Sequence, residues 1–208
     1  MTQTAAKPTR TTSQGRATKA RIVQTAADLM FRHGVAGTSI PDIQQAAQVS
    51  ASQIYHYFGD KQGLVTAVVE YQTDHTIESQ RAVLDHLDSF QALETWRDLA
   101  ISGQRARGCA GGCELGSLAG ELVETGDGPR QDVVRAFDRW AGPLRDGLRG
   151  MRSTGTLRAD ADPDALATAL LTALQGGLLM TQIHRDTAPL RGVLDAVIGH
   201  IRSFAPER

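Results

Sequence analysis

The chain has 208 residues, 41% hydrophobic and 22% charged, which fits one or two globular domains and excludes a disordered or fibrous protein. No apolar run reaches the roughly 18 residues of a membrane span. No apolar segment follows the basic N-terminal residues as in a signal peptide, and two cysteines build no disulfide framework, so a cytoplasmic protein with no membrane partner is predicted. The formal net charge of −1 argues against nucleic acid until it is divided along the chain. Residues 1–63 hold seven basic side chains (Lys7, Arg10, Arg16, Lys19, Arg21, Arg32, Lys61) against three acidic ones (Asp28, Asp42, Asp60), a net of +4, which leaves −5 for the rest. Such a split points to a basic binding head on an acidic body.

Residues 1–15 are rich in Thr, Gln, Ser, Ala and basic side chains and read as a disordered basic arm. Helical spacing then begins, with Ile22, Ala26, Leu29 and Met30 on one face and Gly34 as the C-terminal stop. Ser39-Ile40-Pro41-Asp42 predicts a helix over 39–47: Ser39 caps, Pro41 sits in the first turn, and Asp42 completes a capping box. Ser50-Ala51-Ser52-Gln53 repeats that signal for a helix over 50–57. Asp60 caps a longer helix with Leu64, Val65, Val68, Val69 and Tyr71.

A helix over 91–106 carries Leu93, Trp96 and Leu99, and the glycine-rich run 107–113 breaks it. Leu115, Leu118, Ala119 and Leu122 mark a short helix, and Val133, Val134, Phe137, Trp140, Leu144 and Leu148 a longer one. Asp162-Pro163 starts the next helix, with Leu166, Leu170, Leu171, Leu174 and Leu178. The last, from Thr187, carries Leu190, Val193, Leu194, Val197, Ile198 and Ile201. The prediction is an all-α chain of about nine helices, without strands or internal repeats.

Two short capped helices joined by about three residues have helix-turn-helix geometry, in which the second helix enters a major groove. Its Ser50, Ser52, Gln53, Tyr55, His56 and Tyr57 are dense in donors and acceptors, and Gln53 has the groups to pair with an adenine edge. The capped N-termini suit phosphate oxygens, and Lys61 and the arm residues Arg10, Arg16, Lys19 and Arg21 suit the DNA backbone. A short polar helix between apolar ones is equally the pattern of a solvated face.

The stretch Ile22…Ala26-Ala27…Leu29, Gly34…Gly37-Thr38-Ser39-Ile40…Ile43, Ala46-Ala47…Val49-Ser50…Ile54-Tyr55-His56-Tyr57-Phe58…Lys61…Leu64 resembles the N-terminal domain of the TetR family of transcriptional regulators. The resemblance implies DNA contacts at Arg16, Thr38, Ser39, Ser50, Ala51, Ser52, Gln53, Tyr55, His56, Tyr57 and Lys61. Tyr55 and Lys61 would hold phosphates, whereas Ala51, Ser52, Gln53 and His56 would vary with the operator. Two positions depart from the family pattern. Gln48 replaces the usual turn glycine, where a left-handed backbone costs a side chain roughly 1–2 kcal/mol, so an altered turn is expected. Gln44 replaces a small residue and needs a partner if buried.

The resemblance further implies a ligand-responsive repressor: a homodimer on a palindromic double-stranded operator, released by a small lipophilic or aromatic effector. The domains expected are 16–63 for DNA and 64–208 for effector binding and dimerisation. The interface is expected at Leu170, Leu171, Leu174, Gly177, Leu178, Val193, Leu194, Val197 and Ile201, with Gly176-Gly177 allowing close helix approach. Effector contacts are expected at Trp96, Leu99, Cys113, Leu118, Phe137, Trp140, Gln175, Leu178, Met180 and His184, mostly apolar as suits such a ligand. Residues 112–122 are similar to a motif of the branch that includes lincomycin and multidrug-resistance regulators.

Two alternatives remain. Cys109 and Cys113 would serve a thiol-redox regulator, and a helical small-molecule carrier without DNA binding would explain the body alone. The C-x₃-C pair lacks the second pair of a zinc site, and no H-E-x-x-H, P-loop or G-x-S-x-G motif is present. Neither cofactor, metal nor enzymatic activity is expected.

Overall fold

The computed structural model describes residues 12–207, and the first eleven residues of the predicted arm lie outside them. Among the described residues there are nine helices: α1 (Ser13–His33), α2 (Ile40–Ala47), α3 (Ala51–Phe58), α4 (Lys61–Leu84), α5 (Phe90–Ala106), α6 (Glu114–Leu122), α7 (Asp127–Ser153), α8 (Pro163–His184) and α9 (Ala188–Arg202). The chain forms two compact units that divide between Tyr71 and Gln72, inside α4.

In the first unit, α1 starts earlier than its apolar pattern suggests. Thr12 caps it, its Oγ1 accepting from the Gly15 N–H at 3.1 Å, so Ser13–Gly15 are helix and not arm. Ile22, Val23, Ala26, Ala27 and Met30 form its buried stripe, and Gly34 ends it at φ 78° with its N–H on the Met30 carbonyl. Ile43 and Ala47 of α2, Ile54 of α3 and Leu64, Val65, Val68 and Val69 of α4 complete this core. The Asp60 carboxylate accepts from the Gly63 N–H at 2.7 Å and starts α4.

The turn between α2 and α3 keeps the left-handed geometry that a glycine would supply. Gln48 itself adopts φ 52°, ψ 53°, and the N–H groups of Gln48 and Val49 both reach the Gln44 carbonyl. The expected altered turn is therefore absent, because two backbone hydrogen bonds hold the strained residue in place. Gln44 is half-buried.

In the second unit, α8 packs against α7 and α9, α9 also against α5, and α6 against α7. Asp162 caps α8, its Oδ1 accepting from the Asp164 and Ala165 N–H groups. By length and composition α8 is apolar enough to cross a membrane, although no unbroken apolar run marks it in the sequence. Half of that apolar window is buried within the protein, as in a core helix. Arg97 pairs with Asp195 and Arg202 with Glu94, each at 2.6 Å, tying α5 to α9.

The residues expected at a dimer interface are mostly core. Leu170, Leu171, Leu174, Gly177, Leu178, Leu194 and Ile201 are buried within the single chain, and Val193 and Val197 are half-buried. The density of leucine on α8 fills an interior between α7 and α9. Gly177 does allow close approach, but within the chain: a Cβ there would sit 2.7 Å from Leu190 Cδ1 and 3.0 Å from Leu190 Cα. Gly176 faces open space.

Candidate nucleic-acid interface and effector cavity

The N-termini of α2 and α3 are built alike. The Ser39 N–H donates to Asp42 Oδ2 at 2.8 Å, the Ser39 hydroxyl to the same oxygen at 2.5 Å, and the Asp42 N–H returns to Ser39 Oγ at 3.3 Å. These bonds, the Ser39 hydroxyl first, hold the Asp42 carboxyl below the usual carboxylate range. In α3 the Ser50 N–H donates to Gln53 Oε1 at 2.9 Å and the Gln53 N–H to Ser50 Oγ at 3.3 Å. Ser52 Oγ lies 2.8 Å from Ser50 Oγ.

The cap determines what Gln53 can offer. Its amide oxygen already accepts from the Ser50 N–H, so an adenine amino group would have to share that oxygen with the cap. The Nε2 group can still donate. Ser52, Gln53, Tyr55 and His56 are exposed, Tyr55 at 49%, whereas Ala51 and Tyr57 are half-buried. Tyr57 packs edge-on to His56 and Phe58.

Two expected contacts also bond within the protein. Thr38 is 1% exposed, and its hydroxyl donates to the Gly34 carbonyl at 2.8 Å, locking the turn after α1. A buried hydroxyl so engaged reaches no phosphate. Lys61 is half-buried, with Nζ on the Val35 carbonyl at 2.9 Å. Ser39, Ser50 and Arg16 are exposed.

The second unit holds a partly open cavity of about 260 Å³. Its wall comes from His75, Thr76, Ser79 and Gln80 of α4, and from Leu99, Ala100, Gly103 and Gln104 of α5. Arg107, Gly112, Cys113, Glu114, Trp140 of α7, and Leu174 and Leu178 of α8 complete it. Of the expected effector contacts, Leu99, Cys113, Trp140 and Leu178 line it. Trp96 instead donates from Nε1 to Gln80 Oε1 at 2.7 Å, Leu118 is core, and Phe137 flanks Trp140 with ring centres 6.0 Å apart. Gln175 approaches from behind Cys113, with Nε2 3.6 Å from Sγ. Met180 and His184 are exposed and line nothing here.

The α4 wall was not anticipated. Its signal is the spacing of His75, Thr76, Ser79 and Gln80, which puts four polar residues on one face of a helix. Cys113 caps α6, with the Gly116 N–H donating to Sγ at 3.2 Å. Burial pushes its thiol up, which favours the protonated, less reactive form. Cys109 is buried, and its carbonyl accepts from Arg185 at 3.1 Å.

Two family models match separate parts of the chain. Residues 22–68 match the family model for bacterial regulatory proteins of the tetR family, and residues 90–197 that for the tetracyclin repressor-like C-terminal domain. The chain is 25% identical over 181 residues to the HTH-type transcriptional repressor DhaR of Mycobacterium sp. strain GP1, covering 85% of this chain and 88% of DhaR. It is 27% identical over 171 residues to the transcriptional regulator AcuR of Cereibacter sphaeroides, covering 81% and 78%. A TetR transcriptional regulator from Chloroflexus aurantiacus shares the fold with a TM-score of 0.79 at 24% identity, over 93% of this chain and 98% of that one. The chain belongs to the TetR family and is a DNA-binding transcriptional regulator, not an enzyme.

Proposed function

We propose that the protein is a cytoplasmic, homodimeric repressor that binds a palindromic operator and releases it when a small molecule occupies the cavity. The observation that carries the reading is α3: a capped helix that follows a tight left-handed turn and exposes Ser52, Gln53, Tyr55 and His56 together. Ser39, Ser50, Ala51, Tyr57, Lys61 and Arg16 flank these side chains and serve the backbone or the edges of the site. The domain division proposed is a DNA-binding head over 16–63 and an effector and dimerisation body from residue 64.

Dimerisation uses a surface other than the buried leucines. Leu179, Met180 and Ile183 on α8 are exposed at 56%, 41% and 61%, and Thr168, Thr172 and Gly176 continue that face. Large apolar side chains gathered on one helix face favour a self-complementary two-fold contact. Two heads in one dimer read half-sites about 34–36 Å apart. Repression is carried over from the relative named a repressor, DhaR. Effector binding shifts the population toward a conformation that fits the operator less well.

The test is a gel shift on the DNA flanking the protein's own gene. A retarded band that weakens steeply with salt is expected, since phosphate contacts release counterions. Salt-independent or absent binding removes the reading and leaves a small-molecule carrier. Sedimentation should give a dimer at micromolar concentration, and a monomer there would exclude the two-headed mode.

A further inference from the structure

The bonds at the start of α3 fix the sense of the Gln53 amide. The Ser50 N–H lies 2.9 Å from Gln53 Oε1, and a backbone N–H only donates, so the atom it meets is the amide oxygen and not the nitrogen. The Ser50 hydroxyl donates to the same oxygen at 3.3 Å. Its proton is free for that bond when Ser52 Oγ, 2.8 Å from Ser50 Oγ, acts as the donor of the serine pair. A carbonyl oxygen has two lone pairs, and the cap uses both. Nε2 is the opposite case. It carries two protons, and neither meets an acceptor among the described residues. Gln53 is exposed, one helical turn before the exposed His56, so the two share a face of α3.

Held in this way, the side chain offers DNA donors only. The bases differ in what they present in the major groove. Adenine sets a donor beside its acceptor and would ask Oε1 for a third bond. Cytosine presents a donor, which would face the Nε2 protons. Thymine has a single acceptor beside a methyl group. Guanine presents two acceptors, N7 and O6, and no donor. It takes what Gln53 has left and asks nothing of the oxygen.

We propose that Gln53 is a specificity-determining residue that reads a guanine through Nε2 while the Ser50 cap retains Oε1. The inference rests on the operator-binding reading above. It replaces the adenine pairing that the sequence suggests, because the amide's acceptor half is committed within the protein.

The experiment is selection of binding sites from random-sequence duplex DNA, with the full chain and with Gln53→Glu. Glu keeps an acceptor for the Ser50 N–H but has no proton to donate when ionised. A thermal melt verifies that the variant folds; if it does not, Gln53→Ala takes its place. One position in each half-site should differ between the two selections, and the wild-type base there should be guanine. In direct titration the wild type should favour guanine over adenine at that position by about fivefold or more. The variant should lose that preference and keep those at all other positions. The added negative charge weakens binding to every site alike, so the ratio between sites is what is read. Adenine, thymine or cytosine at the differing position, or no position that differs, overturns the inference and leaves operator binding intact. Enrichment of no sequence by the wild type removes the operator reading, and this inference with it.

Discussion

At the N-termini of α2 and α3 the polar groups close on one another within three residues, whereas on α5 and α7 Gln104 and Trp140 each keep a buried polar atom without a partner. The first arrangement is complete as it stands. The second is incomplete in a specific way, because each open atom accepts only one kind of partner. The DNA-binding unit is a finished surface held by local bonds. The other unit is held by close packing of long helices, with these two polar atoms shut in among them. Buried unpaired groups are costly, whereas paired groups at a helix end complete the local hydrogen bonding.

The comparison breaks first at the packing. Gly177→Val should be the most damaging change, because the new side chain runs into the Leu190 backbone and Val193. A loss of about 1–3 kcal/mol in denaturant unfolding is expected, and wild-type stability would show that α8 and α9 separate easily. Ser50→Ala tests the local side. It removes the acceptor for the Gln53 N–H and should cost about 1 kcal/mol. Operator affinity should fall with it.

Gln48→Gly should act in the opposite direction. Relief of the left-handed backbone outweighs the added freedom of the unfolded chain, for a gain of up to about 1 kcal/mol. A lower melting temperature would mean that the Gln48 side chain contributes a contact of its own. The smallest effect concerns Asp42. Its carboxyl is depressed in the folded state, so its contribution is fully present above the unfolded value of about 4 and is lost as pH falls through the folded value. An acid titration should show this loss in the wild type and not in Asp42→Asn; matching curves would remove Asp42 from the acid response.

The same contrast explains what the sequence makes legible. Ser39–Asp42 and Ser50–Gln53 are contacts three residues apart, so spacing alone identifies them, and the two short helices follow. Apolar periodicity finds the long helices. It does not say which side of a leucine-rich helix faces its own core: Leu170, Leu174 and Leu194 fit an interface and an interior equally well in a linear chain. The cavity draws on α4, α5, α7, α8 and the 107–113 segment, residues up to about a hundred positions apart, so only Leu99, Cys113, Trp140 and Leu178 were anticipated. Thr38 shows a further limit, because its motif position was clear but its burial was not.

The bond from the Ser50 N–H to Gln53 Oε1 constrains how this regulator can change in evolution. Under the proposed function, one amide both closes the start of α3 and meets the DNA. A mutation that retargets the protein at this position also opens the cap unless the new side chain carries an acceptor of similar reach. Glu satisfies that condition while offering DNA an acceptor in place of a donor. Operator drift at this base is thus channelled through a narrow set of replacements, whereas Ser52 and His56, which take no part in that reciprocal pair, are freer to vary.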